Sequence, residues 1–188
     1  SLNSVGDKLT DEALARSITR AGPAHRPYLL VQMPKFRLTA EHTRQLTAHF
    51  IQEDRIPADP RVQVPEILPA QLEARALAGR RLVGTDGFGC TSCHQVGSVQ
   101  PVKAPLNARG PTLSLPQDRL RKSWFDRWVR NPARIVPRME MPSVQIPVRG
   151  VLHDKLDEQL AAVWQVLSTP GFEPPLPAPV RVARFYSS

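Results

Sequence analysis

The stretch Gly87-Phe88-Gly89-Cys90-Thr91-Ser92-Cys93-His94 holds both cysteines of this 188-residue chain. The cysteines are spaced as C-x-x-C, and a histidine follows at once. A single pair excludes a disulfide framework, and it excludes a zinc ribbon, which needs a second pair of ligands. A thioredoxin-like dithiol is an alternative. That fold places its motif after a strand, however, whereas apolar residues recur here at helical spacing between Leu72 and Val83.

The pattern C-x-x-C-H is typical of covalent haem attachment. Two thiols three positions apart on one turn can form thioethers with the two vinyl groups at one edge of a haem, and the adjacent imidazole can then bind iron. The glycines at 87 and 89 let the backbone run close to the macrocycle. We therefore expect one covalent haem c per chain, attached through Cys90 and Cys93, with His94 as an axial ligand of the iron.

The second axial ligand in a haem electron carrier is commonly a methionine. The chain has three, Met33, Met139 and Met141. Met141 lies in a proline-braced segment and precedes Pro142, which restricts its backbone to an extended form. We expect Met141 to be the ligand, with Met139 as the alternative, while core filling is the other role open to both. Methionine opposite histidine leaves no open position on iron and favours electron transfer over oxygen or peroxide chemistry.

Further elements follow in an order that resembles a class I cytochrome c domain between Ala70 and about Ser168. They are a first helix with Gly79, the haem motif, Gly110-Pro111-Thr112-Leu113, a middle helix at Trp124-Phe125-Asp126-Arg127-Trp128-Val129-Arg130-Asn131-Pro132, the loop Met141-Pro142 and a closing helix at Leu160-Ala161-Ala162-Val163-Trp164-Gln165-Val166-Leu167. The resemblance implies an all-α class I cytochrome c fold with helices around the covalent haem. The stretch 143–155 departs from the family because it is longer than the usual exit from the ligand loop.

The same resemblance implies roles for residues beyond the haem motif. The carbonyl of Pro111 would accept the second ring N–H of His94 and fix the orientation of the imidazole. Gly79 would let the first helix approach the last one closely, near Trp164. Trp124 would line the haem pocket, although core filling would also explain this tryptophan.

The first 55 residues resemble the C-terminal half of a second cytochrome c domain. In this match Met33-Pro34 corresponds to Met141-Pro142, and the segment Gln45 to Phe50 corresponds to Gln159 to Trp164. Leu9 to Ile18 takes the place of the middle helix. No C-x-x-C-H lies in this part, so the chain alone cannot attach a second haem.

Three accounts of this N-terminal unit remain open. The chain could be one piece of a diheme protein, in which Met33 ligates a haem attached to an upstream segment that packs on residues 1–55. The unit could be a degenerate domain that has lost its haem, or the similarity could be accidental. Within the unit, Thr39 is expected to be the N-cap of a helix that reaches about Asp54. His42 and His49 are expected to be surface histidines rather than metal ligands.

The remaining segments are rich in proline. Residues 56–69 are expected to form a semi-rigid linker between the helical half-domain at 1–55 and the cytochrome c domain at 70–169. Residues 170–188 form a C-terminal tail. We expect this tail to pack on the protein, because its four large apolar side chains are costly to leave in water. They are Phe172, Leu176, Phe185 and Tyr186.

The net charge of the chain indicates which kind of partner to expect. Lysine and arginine number 25 against 17 acidic residues, giving a net charge of +8. The arginines are scattered and no nucleic-acid-reading motif is present, so we do not expect nucleic acid as the primary partner. No apolar run approaches the length of a membrane-spanning helix. An acidic redox protein, such as an oxidase, reductase or dehydrogenase, is the expected partner.

The sequence therefore predicts an electron-transfer c-type cytochrome, or a cytochrome subunit, that cycles between Fe(II) and Fe(III). The alternative is part of a diheme enzyme, peroxidase-like or another oxidoreductase, whose first haem-binding half lies outside this chain. A haem-based sensor is a third possibility, and whether the chain is itself an enzyme stays open. Covalent haem attachment implies export, since the family matures outside the cytoplasm, so a periplasmic location is expected.

Overall fold

The computed structural model of the chain describes residues 2, 4–22, 30–31, 34–57, 68–101, 104–105 and 109–176. Within these ranges the regular structure is helical, and strand-like pairing is limited to two isolated bridges, Leu9–Leu120 and Val96–Val99. The predicted all-α class is therefore confirmed for this part of the chain. Its α-helices are α1 (Val5–Lys8), α2 (Asp11–Thr19), α3 (Ala40–Asp54), α4 (Pro69–Val83), α5 (Lys122–Arg130), α6 (Pro132–Ile135) and α7 (Leu156–Leu167).

Helices α4 and α7 form the most extensive helix pair of the described residues. A β-carbon at Gly79 would lie 2.5 Å from the carbonyl oxygen of Ala162, a separation that real β-carbons essentially never show, so glycine is required at this crossing. The close approach expected at Gly79 is thus present. Trp164 packs against the same core, with its ring centroid 5.1 Å from that of Phe125. The buried residues that the two helices contribute to this core are Leu82, Val83, Leu160, Ala162, Val163, Val166 and Leu167.

Helices α1, α2 and α3 build a second, smaller cluster around Leu9, Ala13 and Leu14. Thr39 caps α3, since its hydroxyl accepts the backbone N–H of His42 at 3.1 Å. The helix expected between Thr39 and Asp54 is therefore confirmed. The element expected from Leu9 begins two residues later, at Asp11, because Thr10 acts as the N-cap of α2.

The segment before α5 joins the two clusters. Leu120 packs against the smaller cluster and pairs with Leu9 in an antiparallel bridge. The backbone N–H of Thr10 donates to the carbonyl of Arg119 at 2.9 Å, and that of Arg121 donates to the carbonyl of Lys8 at 2.9 Å. The N-terminal unit therefore docks on the haem-motif unit through main-chain hydrogen bonds, which depend little on side-chain identity.

Charged side chains reinforce this junction. Asp7, whose side chain is 3% exposed, forms an ion pair with Arg127 of α5. Asp11 bonds to Arg55 and Arg121, and these hydrogen bonds hold the pKa of the Asp11 carboxyl below its ordinary value. Two of these pairs connect residues more than 100 positions apart, so they fix how the two units meet.

The long stretch 143–155 is tied to α7 by one buried amide. The side chain of Gln159 accepts from the backbone N–H of Val148 at 2.9 Å and donates to the carbonyls of Val148 and Val151, both at 2.8 Å. Val151 is itself buried in the larger core. The stretch 143–155 is thus anchored to the larger core through Gln159 and Val151, although most of its other side chains are exposed or partly buried.

The beginning of the C-terminal tail packs as expected. Phe172 lies against the larger core, and the carboxylate of Glu173 accepts hydrogen bonds from the backbone N–H and the hydroxyl of Ser98. These bonds lower the pKa of Glu173. Leu176, by contrast, is 77% exposed. Phe185 and Tyr186 lie outside the described residues, as does most of the linker.

Candidate functional site

The C-x-x-C-H motif forms a tight turn at the end of α4. A 3₁₀ turn at Cys90–Ser92 places the backbone N–H of His94 3.0 Å from the carbonyl of Cys90. The turn is held against α4 because the N–H of Phe88 donates to the carbonyl of Leu82 at 2.7 Å. Both cysteines and the histidine therefore belong to one compact element, as thioether attachment beside an axial imidazole requires.

The two thiols form no disulfide with each other and differ in environment. Cys90 is partly buried against the larger core, whereas Cys93 is exposed. Burial raises the pKa of the Cys90 thiol to about 11, so this group is protonated at neutral pH. Among the described residues, no group of three or more histidine, cysteine or acidic side chains is placed to hold a metal ion. A dithiol ready for thioether formation fits this arrangement better than a zinc site does.

His94 is oriented by the loop that follows it in the chain. Its Nδ1 lies 2.7 Å from the carbonyl oxygen of Pro111. A carbonyl only accepts, so Nδ1 carries the hydrogen and Nε2 keeps its lone pair. Burial lowers the pKa of His94 and thereby favours the neutral imidazole, which is the form that can bind a metal. The hydrogen bond to Pro111 acts on this pKa in the opposite direction, but its effect is smaller.

The loop can reach the imidazole because residue 110 is a glycine. A β-carbon on Gly110 would lie 2.0 Å from Cε1 of His94. The N–H of Gly110 also donates to the carbonyl of Cys93 at 2.9 Å. The contact between His94 and Pro111 that the family resemblance implied is therefore present, and Gly110 is the residue that allows it.

The structure separates the two methionine candidates. Met141 is partly buried against the larger core, and its Sδ accepts a hydrogen bond from Nε1 of Trp128 at 3.1 Å. Met139 is 36% exposed. Just after Met141 the loop is fastened to α5, because the N–H of Val144 donates to the carbonyl of Val129 at 2.9 Å. Met141 is thus the better buried of the two methionines, and its role as an iron ligand stays a prediction.

A stack of two indoles adjoins the methionine. The rings of Trp124 and Trp128 lie 4.9 Å apart at an interplanar angle of 17°. The ammonium of Lys8, from the N-terminal unit, lies 4.8 Å from the centroid of the Trp124 ring, a distance typical of a cation–π contact. The buried Nε1 of Trp124 finds no acceptor among the described residues. A buried donor of this kind fits the carboxylate edge of a haem.

One predicted site residue lies outside the described residues, and one residue near the candidate site was not predicted as part of it. Met33 lies outside the described residues, so its role as ligand of a second haem stays a prediction. Trp128 was named only as part of the middle helix, although its contact with Met141 makes it a site residue. Its spacing of four from Trp124 places both indoles on one helix face, and this was the signal available in the sequence. His42 and His49 are both exposed on α3, as surface histidines are.

No family model matches this chain, and neither curated proteins nor solved structures give a match. The assignment therefore depends on whether the residues fit the group that the motif implies. Four features fit that group, namely two thiols that form no disulfide, an imidazole whose Nδ1 faces a carbonyl, a partly buried thioether and a buried indole N–H without an acceptor among the described residues. Each of the four could contact a haem c, whose presence stays a prediction.

Proposed function

We propose that this chain is a c-type cytochrome that transfers single electrons. The observation that carries the proposal is the hydrogen bond between His94 and Pro111 on the turn that also holds both cysteines. It presents a neutral, oriented imidazole on the turn that holds Cys90 and Cys93, which an accidental C-x-x-C-H would not require. Haem, when bound, supplies the one-electron Fe(II)/Fe(III) couple.

Each residue has a separate task in this proposal. Cys90 and Cys93 would hold the macrocycle, while His94 and Met141 would bind the iron. Pro111 holds the imidazole tautomer, and Trp124 would offer its buried N–H to a haem carboxylate. With two protein side chains as iron ligands, the haem would supply electron transfer rather than catalysis at the metal.

The surface charge suggests the kind of partner. With a net charge of +8, the chain would be steered toward an acidic redox protein, an oxidase, reductase or dehydrogenase, at rates that fall with added salt. None of the helices in the described ranges has both the length and the apolar character needed to cross a membrane. Since covalent haem attachment is a property of exported cytochromes, we place the protein in the periplasm.

Carbon monoxide binding to the reduced protein tests the proposal. The thioether of Met141 should keep the sixth position occupied, so carbon monoxide should bind poorly at neutral pH. Haemochrome spectroscopy on the same sample should give one haem per polypeptide. A reduced haem that takes up carbon monoxide readily would show an open iron and would favour an enzyme.

The alternative function is part of a diheme oxidoreductase, peroxidase-like or of another kind. Exposed apolar residues of the N-terminal unit favour it, since Leu30 is fully exposed, Val31 is 88% exposed and Phe36 is 58% exposed. Large apolar side chains exposed in this way are typical of a surface that another polypeptide covers. The haem-attachment segment that residues 1–55 lack would be that polypeptide.

Helix α3 bears on the same alternative. In the match between the two units, Leu46 and His49 correspond to Leu160 and Val163, which are buried in α7. Leu46 is 38% exposed and His49 is also exposed. The face of α3 that corresponds to the core face of α7 is thus open among the described residues, and it is more polar.

Two haems per complex, with a second cysteine-bearing polypeptide, would support the diheme alternative, whereas a degenerate unit predicts one haem.

A further inference from the structure

Trp128 contacts the sulfur of the proposed iron ligand. Its Nε1–H donates to Sδ of Met141 at 3.1 Å. An indole N–H can only donate, and a thioether sulfur is a weak acceptor. A thioether has two lone pairs, so a sulfur that binds a metal through one of them can still accept a hydrogen bond through the other. The contact is therefore compatible with metal ligation by Met141.

The donor is held in place by groups other than the methionine. Trp128 stacks on Trp124, which is 4% exposed. Both residues belong to α5, and Trp128 also packs against the larger core. An indole fixed in this way presents its N–H at a set position, so little freedom is lost when the hydrogen bond forms.

We propose that Trp128 is a positioning residue for Met141, an inference that rests on the proposed function. The indole N–H fixes the orientation of Sδ and draws electron density away from the sulfur. When the sulfur donates less electron density, ferric iron loses more stabilisation than ferrous iron does, because the ferric ion is the stronger acceptor. Trp128 thereby shifts the Fe(II)/Fe(III) balance toward Fe(II), and it makes the thioether easier to displace from ferric iron.

Two variants of the haem-loaded protein test this role. Trp128→Phe removes the donor together with part of the ring. Replacement of Trp128 by 3-benzothienylalanine keeps the ring shape and exchanges the N–H for sulfur, so it tests the hydrogen bond alone even if Trp128→Phe folds poorly. Trp164→Phe is the control, since Trp164 packs on Phe125 in the core.

The readouts are the midpoint potential and the displacement of Met141 by added imidazole. At a fixed ambient potential, both variants should raise the ferric-to-ferrous ratio about threefold, which corresponds to a potential about 30 mV lower at 59 mV per tenfold change. Half-displacement of the thioether from the ferric protein should need about threefold more imidazole, because the sulfur without its hydrogen bond is the stronger ligand. The control should change neither quantity.

The two proposals fail in different ways. If the unaltered protein carries haem and shows the thioether-to-iron absorption band, but the isosteric variant leaves both readouts unchanged, the role of Trp128 is wrong and the cytochrome assignment stands. If the unaltered protein carries no haem on Cys90 and Cys93, the proposed function fails and this inference fails with it.

Discussion

At the scale of single residues, two partners orient the side chains that we propose as iron ligands. The carbonyl of Pro111 accepts a hydrogen bond from Nδ1 of His94, which leaves Nε2 available. Trp128, on α5, donates a hydrogen bond to the sulfur of Met141. Both partners lie on elements other than that of the residue they orient, so His94 and Met141 are held in place by contacts within the protein.

The choice between the two methionines gives the first prediction. In Met141→Ala the ferric protein should lose its thioether-to-iron absorption band completely, and the reduced protein should bind carbon monoxide. Met139→Ala is the matched control and should keep the band, since Met139 is 36% exposed. Absorption spectra of both ferric variants decide the matter. Loss of the band only in the Met139 variant would reverse the assignment.

At the scale of helices, the crossing of α4 and α7 is sensitive to substitution at Gly79. Alanine in place of glycine inside a helix usually stabilises it by about 0.8–1.0 kcal/mol. At Gly79 the added carbon would lie 2.5 Å from a backbone oxygen, so overpacking should prevail. We expect Gly79→Ala to lower the free energy of unfolding by about 1–3 kcal/mol.

Chemical denaturation of the haem-loaded protein measures this effect. Glu73→Ala is the control, because Glu73 is exposed on the same helix and its replacement should change stability by less than about 0.5 kcal/mol. A Gly79→Ala protein as stable as the parent would mean that the two helices do not cross at this residue.

The helices show which features could be predicted from the sequence. The Thr39 cap and the helix that contains Leu160 to Leu167 have local signals, namely a capping residue and apolar residues at helical spacing. The close approach at Gly79 is implied only by the family resemblance. The junction has no such signal. Asp7 and Arg127, for example, are 120 positions apart. The sequence around Gln159 likewise does not indicate that its amide holds the stretch 143–155.

At the scale of the whole molecule, the junction between the two units should respond to pH. Hydrogen bonds from Arg55 and Arg121 lower the pKa of Asp11, so its ionised form is favoured in the folded state. The stabilisation is therefore fully present above the unfolded pKa of about 3.9 and is lost as the pH falls through the lower folded value. Because Asp11 is half exposed, its contribution stays below about 1 kcal/mol.

The loss of stability in an Asp11 variant should therefore depend on pH, whereas a variant of the neighbouring carboxylate should show no comparable loss. Asp11→Asn should be less stable than the parent at pH 7, by a few tenths to about 1 kcal/mol, and the difference should shrink toward pH 2. Glu12→Gln, the neighbouring exposed carboxylate, should show no comparable loss. Unfolding curves at the two pH values provide the comparison. An equal loss at both would show that charge on Asp11 does not stabilise the junction.

The central claim is covalent haem attachment at a single pair of cysteines. Proteolysis of the purified native protein, followed by mass spectrometry, tests it most directly. The account predicts that the peptide spanning Cys90 to His94 carries one haem bound through both sulfurs, and that intact protein has the mass of one polypeptide plus one haem. The same peptide with two free thiols, with a disulfide or with bound zinc would contradict the account.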